Sequence, residues 1–173
     1  MLYIFTGNGK GKTTAALGQA MRAVGEGKRV LMVQFIKGPW KSGEDFLAQG
    51  LAPNFKLVKM GKGFVGILGD TLPREEHEKA ADAALEYART EAATGNWNLL
   101  ILDEVNNALQ LGLLLKEDVL EFVDEVKDKI EHLILTGRDA LPELIEKADL
   151  VTEMRDIKHP YAKGIKGKRG LEY

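Results

Sequence analysis

The sequence predicts a doubly wound α/β fold, a mainly parallel sheet with helices on both faces. Three observations carry this. Apolar runs of strand length alternate with helical stretches along the chain. Several of these runs are continuously apolar rather than alternating, as expected for strands covered on both faces. The first run feeds directly into a glycine-rich loop that opens a helix.

The candidate strands are 2–6, Val30-Leu31-Met32-Val33-Gln34-Phe35, Phe55-Lys56-Leu57-Val58-Lys59-Met60, Leu99-Leu100-Ile101-Leu102, Leu133-Ile134-Leu135 and Leu150-Val151-Thr152. Helices are expected at roughly 12–26, 74–94, 116–130 and 139–147. Pro73 ahead of Arg74, Glu75 and Glu76 is a helix start, with proline near the first position and acids in the first turn. Gly95 is placed to cap the end of that helix. Two stretches are irregular and glycine-rich: 61–73, reading Gly61-Lys62-Gly63-Phe64-Val65-Gly66-Ile67-Leu68-Gly69, and the tail from Lys158. Loops this long in a compact domain tend to be functional. No repeat, low-complexity segment or linker interrupts the chain, so 1–173 is expected to be one domain with a glycine-rich tail at 158–173.

At 173 residues the chain is long enough to bury a real core. Hydrophobic content of 45% and charged content of 29% are those of a soluble globular protein. A net charge of −2 gives no global basic field for nucleic acid or an anionic membrane. With no cysteine, disulfides, thiolate metal sites and cysteine nucleophiles are excluded. No run reaches membrane-spanning length, and the apolar start is too short for a signal peptide. A cytoplasmic location is expected.

Residues 6–14 read Thr6-Gly7-Asn8-Gly9-Lys10-Gly11-Lys12-Thr13-Thr14. Backbone N–H groups of such a loop cradle phosphate, and the helix N-terminus adds positive dipole. Lys12 would reach the terminal phosphates, and the Thr13 hydroxyl would sit on Mg²⁺. This is the P-loop NTPase-like arrangement, but it departs from G-x-x-x-x-G-K-[ST]. Thr6 stands where the first glycine belongs, only three residues separate Gly7 from Gly11, and Lys10 adds a second cation. A glycine-rich surface turn is the bland alternative. The departure points to a nucleotide held for something other than ordinary γ-phosphate transfer.

Leu99-Leu100-Ile101-Leu102-Asp103-Glu104 is an apolar strand ending in two acids, about 90 residues after the loop. Asp103 is the expected metal ligand. Glu104 is a second ligand or, in a hydrolase, the residue that positions water. Thr136-Gly137-Arg138-Asp139 follows another apolar strand and so sits at the carboxyl edge of the sheet, where ligands bind. Arg138 is a candidate for phosphate charge, or else pairs with a surface acid. The segment resembles a guanine-reading N-K-x-D, but Gly137 stands in the lysine's place, which argues against guanine. His77 is expected to be solvated on a charged helix, and His132 begins a strand with no nameable partner. His159 lies in the glycine-rich tail and is a candidate to line the site. None is given an acid/base role. The tail's Lys158, Lys163, Lys166, Lys168 and Arg169 lack the interleaved aromatics of a nucleic-acid platform. A solvated terminus is the simple reading of them.

Several segments together resemble one family. They are Gly7 to Ala16, Val33-Gln34-Phe35-Ile36-Lys37-Gly38, Leu102-Asp103-Glu104-Val105-Asn106, Thr136-Gly137-Arg138, and Lys158-His159-Pro160 running to Gly170-Leu171-Glu172-Tyr173. The chain is similar to the P-loop (CobA/BtuR/CobO-type) ATP:corrinoid adenosyltransferases, from the first strand to the last residue. The resemblance implies transfer of the 5′-deoxyadenosyl group of ATP to the cobalt of a reduced corrinoid, with triphosphate leaving intact. Cob(I) is itself the nucleophile, so no protein nucleophile or general base is required. The protein's task is to align C5′ with cobalt and to neutralise charge growing on the leaving group.

The resemblance implies that Lys12, Arg138 and Glu104 serve the chemistry. It implies that Gly7, Asn8, Gly9, Lys10, Gly11, Lys12, Thr13, Thr14, Lys37 and Phe64 bind the substrates, and that Thr13, Asp103 and Glu104 hold Mg²⁺ or Mn²⁺. It further implies a homodimer and an electron donor for cobalt reduction, with no nucleic acid and no membrane as partners.

Two departures stand out. Members commonly carry a segment ahead of the first strand that helps cover the site in a dimer, whereas this sequence opens in the strand. Relatives often read Gly-Phe-x-Trp after the third strand, whereas Gly63-Phe64-Val65-Gly66 has glycine at the aromatic position. The resemblance implies that Phe64 still packs on the corrin or its lower face and displaces water or the lower ligand, making a four-coordinate cobalt(II) that is easier to reduce. The alternatives are a P-loop kinase or ATPase releasing ADP, and a nucleotide-dependent corrinoid-binding module without turnover.

Overall fold

In the computed structural model, which describes residues 1–67 and 69–171, β1 (Leu2–Thr6), β2 (Val30–Gln34), β3 (Phe55–Lys59), β4 (Leu99–Asp103), β5 (His132–Thr136) and β6 (Leu150–Glu153) form one sheet. The strand order is β3-β2-β4-β5-β1-β6, and every pairing is parallel. This is the expected doubly wound sheet. β5 stands between β1, which feeds the glycine-rich loop, and β4, which ends in Asp103. The two halves of the expected nucleotide site therefore face each other across one strand, at the carboxyl edge.

The intervening helices are α1 (Lys12–Gly25), α2 (Gly43–Gly50), α3 (Arg74–Ala93), α4 (Val105–Gln110), α5 (Lys116–Val126) and α6 (Pro142–Lys147), with a short 3₁₀ turn at Pro160–Lys163. Because side chains alternate along a strand, the sheet makes two cores. Leu2, Ile4, Leu31, Val33, Leu100, Leu102, Leu133 and Leu135 pack on one face, under Ala84 and Ala88 of α3, Val105 of α4, Phe122 and Val126 of α5 and Leu144 of α6. Phe5, Val30, Met32, Leu99, Ile101 and Ile134 pack on the other face, against Ala16 and Ala20 of α1 and Ala48 of α2. The small residues of α1 let that helix lie close to the sheet, which fixes where its N-terminus and the glycine-rich loop sit.

The boundaries carry local reasons. The expected helix over 139–147 begins only at Pro142, because Asp139 has φ 48° and Leu141 is extended at ψ 139°, as a residue before proline prefers. The helix expected to reach residue 130 ends at Val126, and Lys129 and Ile130 turn back by donating to the Val126 carbonyl. Two short helices, α2 and α4, were not expected. α2 starts in a capping arrangement in which the Ser42 N–H donates to Asp45 Oδ2 at 2.7 Å. Gly95, with φ 68°, follows α3 in the left-handed conformation expected of a capping glycine. Leu68 of the glycine-rich loop, and Glu172 and Tyr173 of the tail segment, lie outside the described residues. Among those described, no helix is long and apolar enough to cross a membrane.

Candidate active site

Asp103 ends the central strand β4 and is fully buried. A carboxylate there is costly unless every lone pair is engaged. Thr13, at the second position of α1, donates its hydroxyl to Asp103 Oδ1 at 2.8 Å. Thr136, at the end of β5, donates to the same oxygen at 2.7 Å. Gln34, at the end of β2, donates its side-chain amide to Asp103 Oδ2 at 2.9 Å. Two neighbouring strand ends and the loop helix thus converge on the carboxylate that ends β4. Gln34 Oε1 and both polar atoms of the Asn106 side chain are buried beside this edge without a protein partner.

The loop before α1 closes on itself. The Lys12 ammonium donates to the Gly7 carbonyl at 2.7 Å and the Gly9 carbonyl at 2.8 Å. Burial lowers its pKa and the nearby Arg138 guanidinium lowers it further, while Glu104, Asp103 and Asp139 act the other way. The glycines answer a second demand. The chain leaving β6 passes so close that a Cβ on Gly7 would stand 2.4 Å from the Met154 carbonyl oxygen, and one on Gly9 would meet Arg155 at 2.7 Å. The Gly9 N–H is spent on the Met154 carbonyl at 2.7 Å. Asn8, Lys10 and Thr14 are exposed.

Glu104 follows Asp103 in the left-handed region, at φ 64° and ψ 20°. For a residue with a Cβ this costs about 1–2 kcal/mol. Its N–H donates to Thr136 Oγ1 at 2.9 Å, so one hydroxyl links the two acids. Burial, and then the neighbouring Asp103, push the Glu104 carboxyl up to about 7, against the pull of Lys37, Lys12 and Arg138. Lys37 approaches from the loop after β2 and pairs with Glu44 of α2 at 2.5 Å. Burial would lower the Lys37 pKa, but Asp103, the Glu44 hydrogen bond and Glu104 together raise it. Arg138 is exposed, and its backbone N–H is held by Asn107 Oδ1 at 2.9 Å. Lys12, Thr13, Lys37, Asp103, Glu104 and Arg138 therefore share one electrostatic neighbourhood.

A sequence profile described as ATP:corrinoid adenosyltransferase BtuR/CobO/CobP matches residues 1–173. The chain belongs to this family. It is 38% identical over 173 residues to the corrinoid adenosyltransferase of Escherichia coli strain K12, covering all of this chain and 85% of that protein. The corrinoid adenosyltransferase of Pseudomonas aeruginosa strain PAO1 is also 38% identical, over all of this chain and 83% of its own. That of Salmonella typhimurium strain LT2 is 36% identical, over all of this chain and 85% of its own. Among solved structures, the flagellar accessory protein FlaH of Methanocaldococcus jannaschii shares the fold at a TM-score of 0.57 and 12% identity, over 88% of this chain and 69% of that one.

In this adenosyltransferase-family chain, Phe64 lies in the glycine-rich loop after β3. It is half exposed and its ring centroid lies 6.1 Å from that of Trp40. His77 requires a correction. It is not solvated but 3% exposed, with Nε2 3.0 Å from Asp70 Oδ2. The glycine-rich loop folds back over the first turns of α3, and Asp70 also accepts from the Gly66 and Leu72 N–H groups. His132 Nδ1 is buried without a partner, and His159 Nδ1 accepts from the Tyr161 N–H at the 3₁₀ turn. Sequence reasoning assigned no role to Gln34, Thr136, Glu44 or Trp40. A polar residue ending a fully apolar central strand was the available signal for the first two.

Proposed function

We propose that this protein transfers the 5′-deoxyadenosyl group of ATP to the cobalt of a reduced corrinoid and releases triphosphate. Family membership over the full chain supports this. The observation that carries it is the 2.8 Å contact of Thr13 with Asp103, which ties the loop helix to the acid 90 residues away. The cobalt(I) electron pair forms the Co–C5′ bond as the C5′–O bond breaks, and the departing pair stays on the triphosphate oxygen. Cobalt ends as cobalt(III), with no proton to move.

The residues' own tasks follow. Lys12, Lys10 and the loop amides from Gly7 to Thr14, other than that of Gly9, bind the phosphate chain, which competes with the Gly7 and Gly9 carbonyls for the Lys12 ammonium. Arg138 adds charge against the leaving oxygen. Lys37, held by Glu44, keeps Asp103 and Glu104 from repelling the anion. Phe64 packs on the corrinoid. The donor set fits a hard divalent cation, because a buried carboxylate already gathers two hydroxyls and the sequence holds no thiolate. Thr13, Asp103 and Glu104 would hold Mg²⁺ or Mn²⁺, which neutralises phosphate charge when bound. A single cytoplasmic domain, acting as a homodimer with a separate electron donor, completes the reading.

The test is anaerobic. The protein is mixed with ATP, Mg²⁺ and chemically reduced cob(I)alamin, and the corrinoid spectrum is followed. Decay of the cob(I) bands to a light-sensitive alkylcobalt product, with matching triphosphate, is the expected result. An unchanged corrinoid with ADP accumulating would make it a phosphotransferase or ATPase instead.

A further inference from the structure

The glycine-rich loop between β3 and α3 carries Phe64 and is fastened at both ends. Its first end is held by the end of β2 and the residues after it. The Gly61 N–H donates to the Gln34 carbonyl at 3.1 Å, and the Gly63 N–H to the Ile36 carbonyl at 2.9 Å. Its far end is held by a buried pair, Asp70 of the loop and His77 of α3, whose side chains are only 8% and 2% exposed. We propose that His77 is a positioning residue for corrinoid binding: through Asp70 it fixes the part of the loop that follows Phe64. The inference rests on the adenosyltransferase reading above.

The hydrogen bonds show how the hold works. Asp70 Oδ2 lies 3.0 Å from His77 Nε2 and accepts from the Gly66 N–H at 2.8 Å, while Oδ1 accepts from the Leu72 N–H at 3.0 Å. The backbone donors, first Gly66 and then Leu72, hold the Asp70 carboxyl below its usual range. At neutral pH it is therefore an acceptor only, and the proton of the contact sits on His77 Nε2. One carboxylate thus joins the amide two residues past Phe64 to a side chain of a helix. That helix is itself fixed, because Ala81, Ala84 and Ala88 of α3 lie in the core. Burial sets the pair apart from exposed ion pairs, which contribute little.

The loop has little of its own to hold it. Gly63, Gly66 and Gly69 have φ of 111°, 69° and 81°, and glycine gives up the most backbone freedom on ordering. Val65 packs against the core, whereas its neighbour Phe64 is half exposed. Fixing Gly66 keeps this pair turned with Val65 inward and Phe64 outward. Among the described residues, the side-chain hydrogen bonds of Asp70 and His77 stay within the loop and α3. The phosphate loop and Asp103 are built by other elements, so the hold acts on the corrinoid side of the site and leaves the ATP side alone.

The test compares His77→Leu, which keeps bulk and removes the donor, with His77→Gln, whose amide donates from nearly the same place, and with Asp70→Ala. Amide hydrogen exchange without corrinoid reads the hold itself. Exchange at Gly66 and Leu72 should quicken about tenfold in His77→Leu and stay near that of the unaltered protein in His77→Gln. With cob(I)alamin, His77→Leu and Asp70→Ala should each raise the corrinoid KM about tenfold and leave the ATP KM unchanged. His77→Gln should restore most of the affinity. Faster exchange with an unaltered corrinoid KM would make the pair a structural fastening alone and overturn the proposal. Unaltered exchange in His77→Leu, or equal rises in the KM of both substrates, would overturn it too. Should His77→Leu not fold, Asp70→Ala, which leaves α3 intact, decides among the same outcomes. If the unaltered protein forms no alkylcobalt, the functional reading itself falls, and this inference with it, whatever the exchange rates are.

Discussion

The Thr13 and Thr136 hydroxyls and the Gln34 amide converge on Asp103, and this convergence organises the site around a charge that the sheet could not otherwise bury. Lys12 is different, because its hydrogen bonds go only to carbonyls of its own loop. Replacing it removes contacts worth about 1 kcal/mol each to the fold but a positive charge that the leaving triphosphate needs. Lys12→Ala should therefore lose about 10²- to 10³-fold in kcat with circular dichroism unchanged and melting lowered by only about 4–8 °C, so that the protein stays folded at assay temperature. Steady-state rates near those of the unaltered protein would contradict the phosphate role. Residues of this kind were legible because spacing alone defines them. His77 was not. Its burial depends on Asp70 arriving from a loop whose path no periodicity encodes, and the charged neighbours Glu75, Glu76, Glu78 and Lys79 masked it.

Among elements, the loop after β2 and the short helix α2 act as a unit joined by Lys37 and Glu44. Burial would raise the Glu44 pKa, but the hydrogen bond and charge of Lys37, the Glu44 backbone N–H and Ser42 together hold the carboxyl below the usual range. A lowered folded-state pKa means that the stabilisation is fully present above the unfolded value of about 4.3 and is lost as pH falls through the folded value. Glu44→Gln should cost about 1.5–3 kcal/mol at pH 7, roughly 2–4 °C of melting temperature per kcal/mol. The gap between the two proteins should close as melts are taken from pH 5 down to pH 3. A gap that ignores pH would show that the pair contributes by packing alone. The strands and long helices were legible from apolar runs and from Pro73 and Gly95. α2 carried a readable signal in Ser42 and Asp45, three apart, but its eight residues begin and end in glycine. α4 carried none, since its six residues are set by the left-handed turn at Glu104.

Over the whole molecule, the doubly wound architecture followed from alternation of buried strands and helices, because parallel strands need crossovers of the same hand. What alternation does not encode is strand order. The insertion of β5 between β1 and β4 is a choice of long-range pairing, and it sets the spacing between loop and acid. The glycines at 7 and 9 were read as phosphate cradle alone, whereas the chain leaving β6 also demands them. The central claim is that the C5′–O bond of ATP breaks while the triphosphate stays whole. The direct measurement uses ATP carrying ¹⁸O in the oxygen that bridges C5′ and the α-phosphorus, with cob(I)alamin as acceptor and mass spectrometry of the products. The label should be found in triphosphate and be missing from the adenosylated corrinoid. Label retained in ADP, with the alkylcobalt product unformed, would contradict the account.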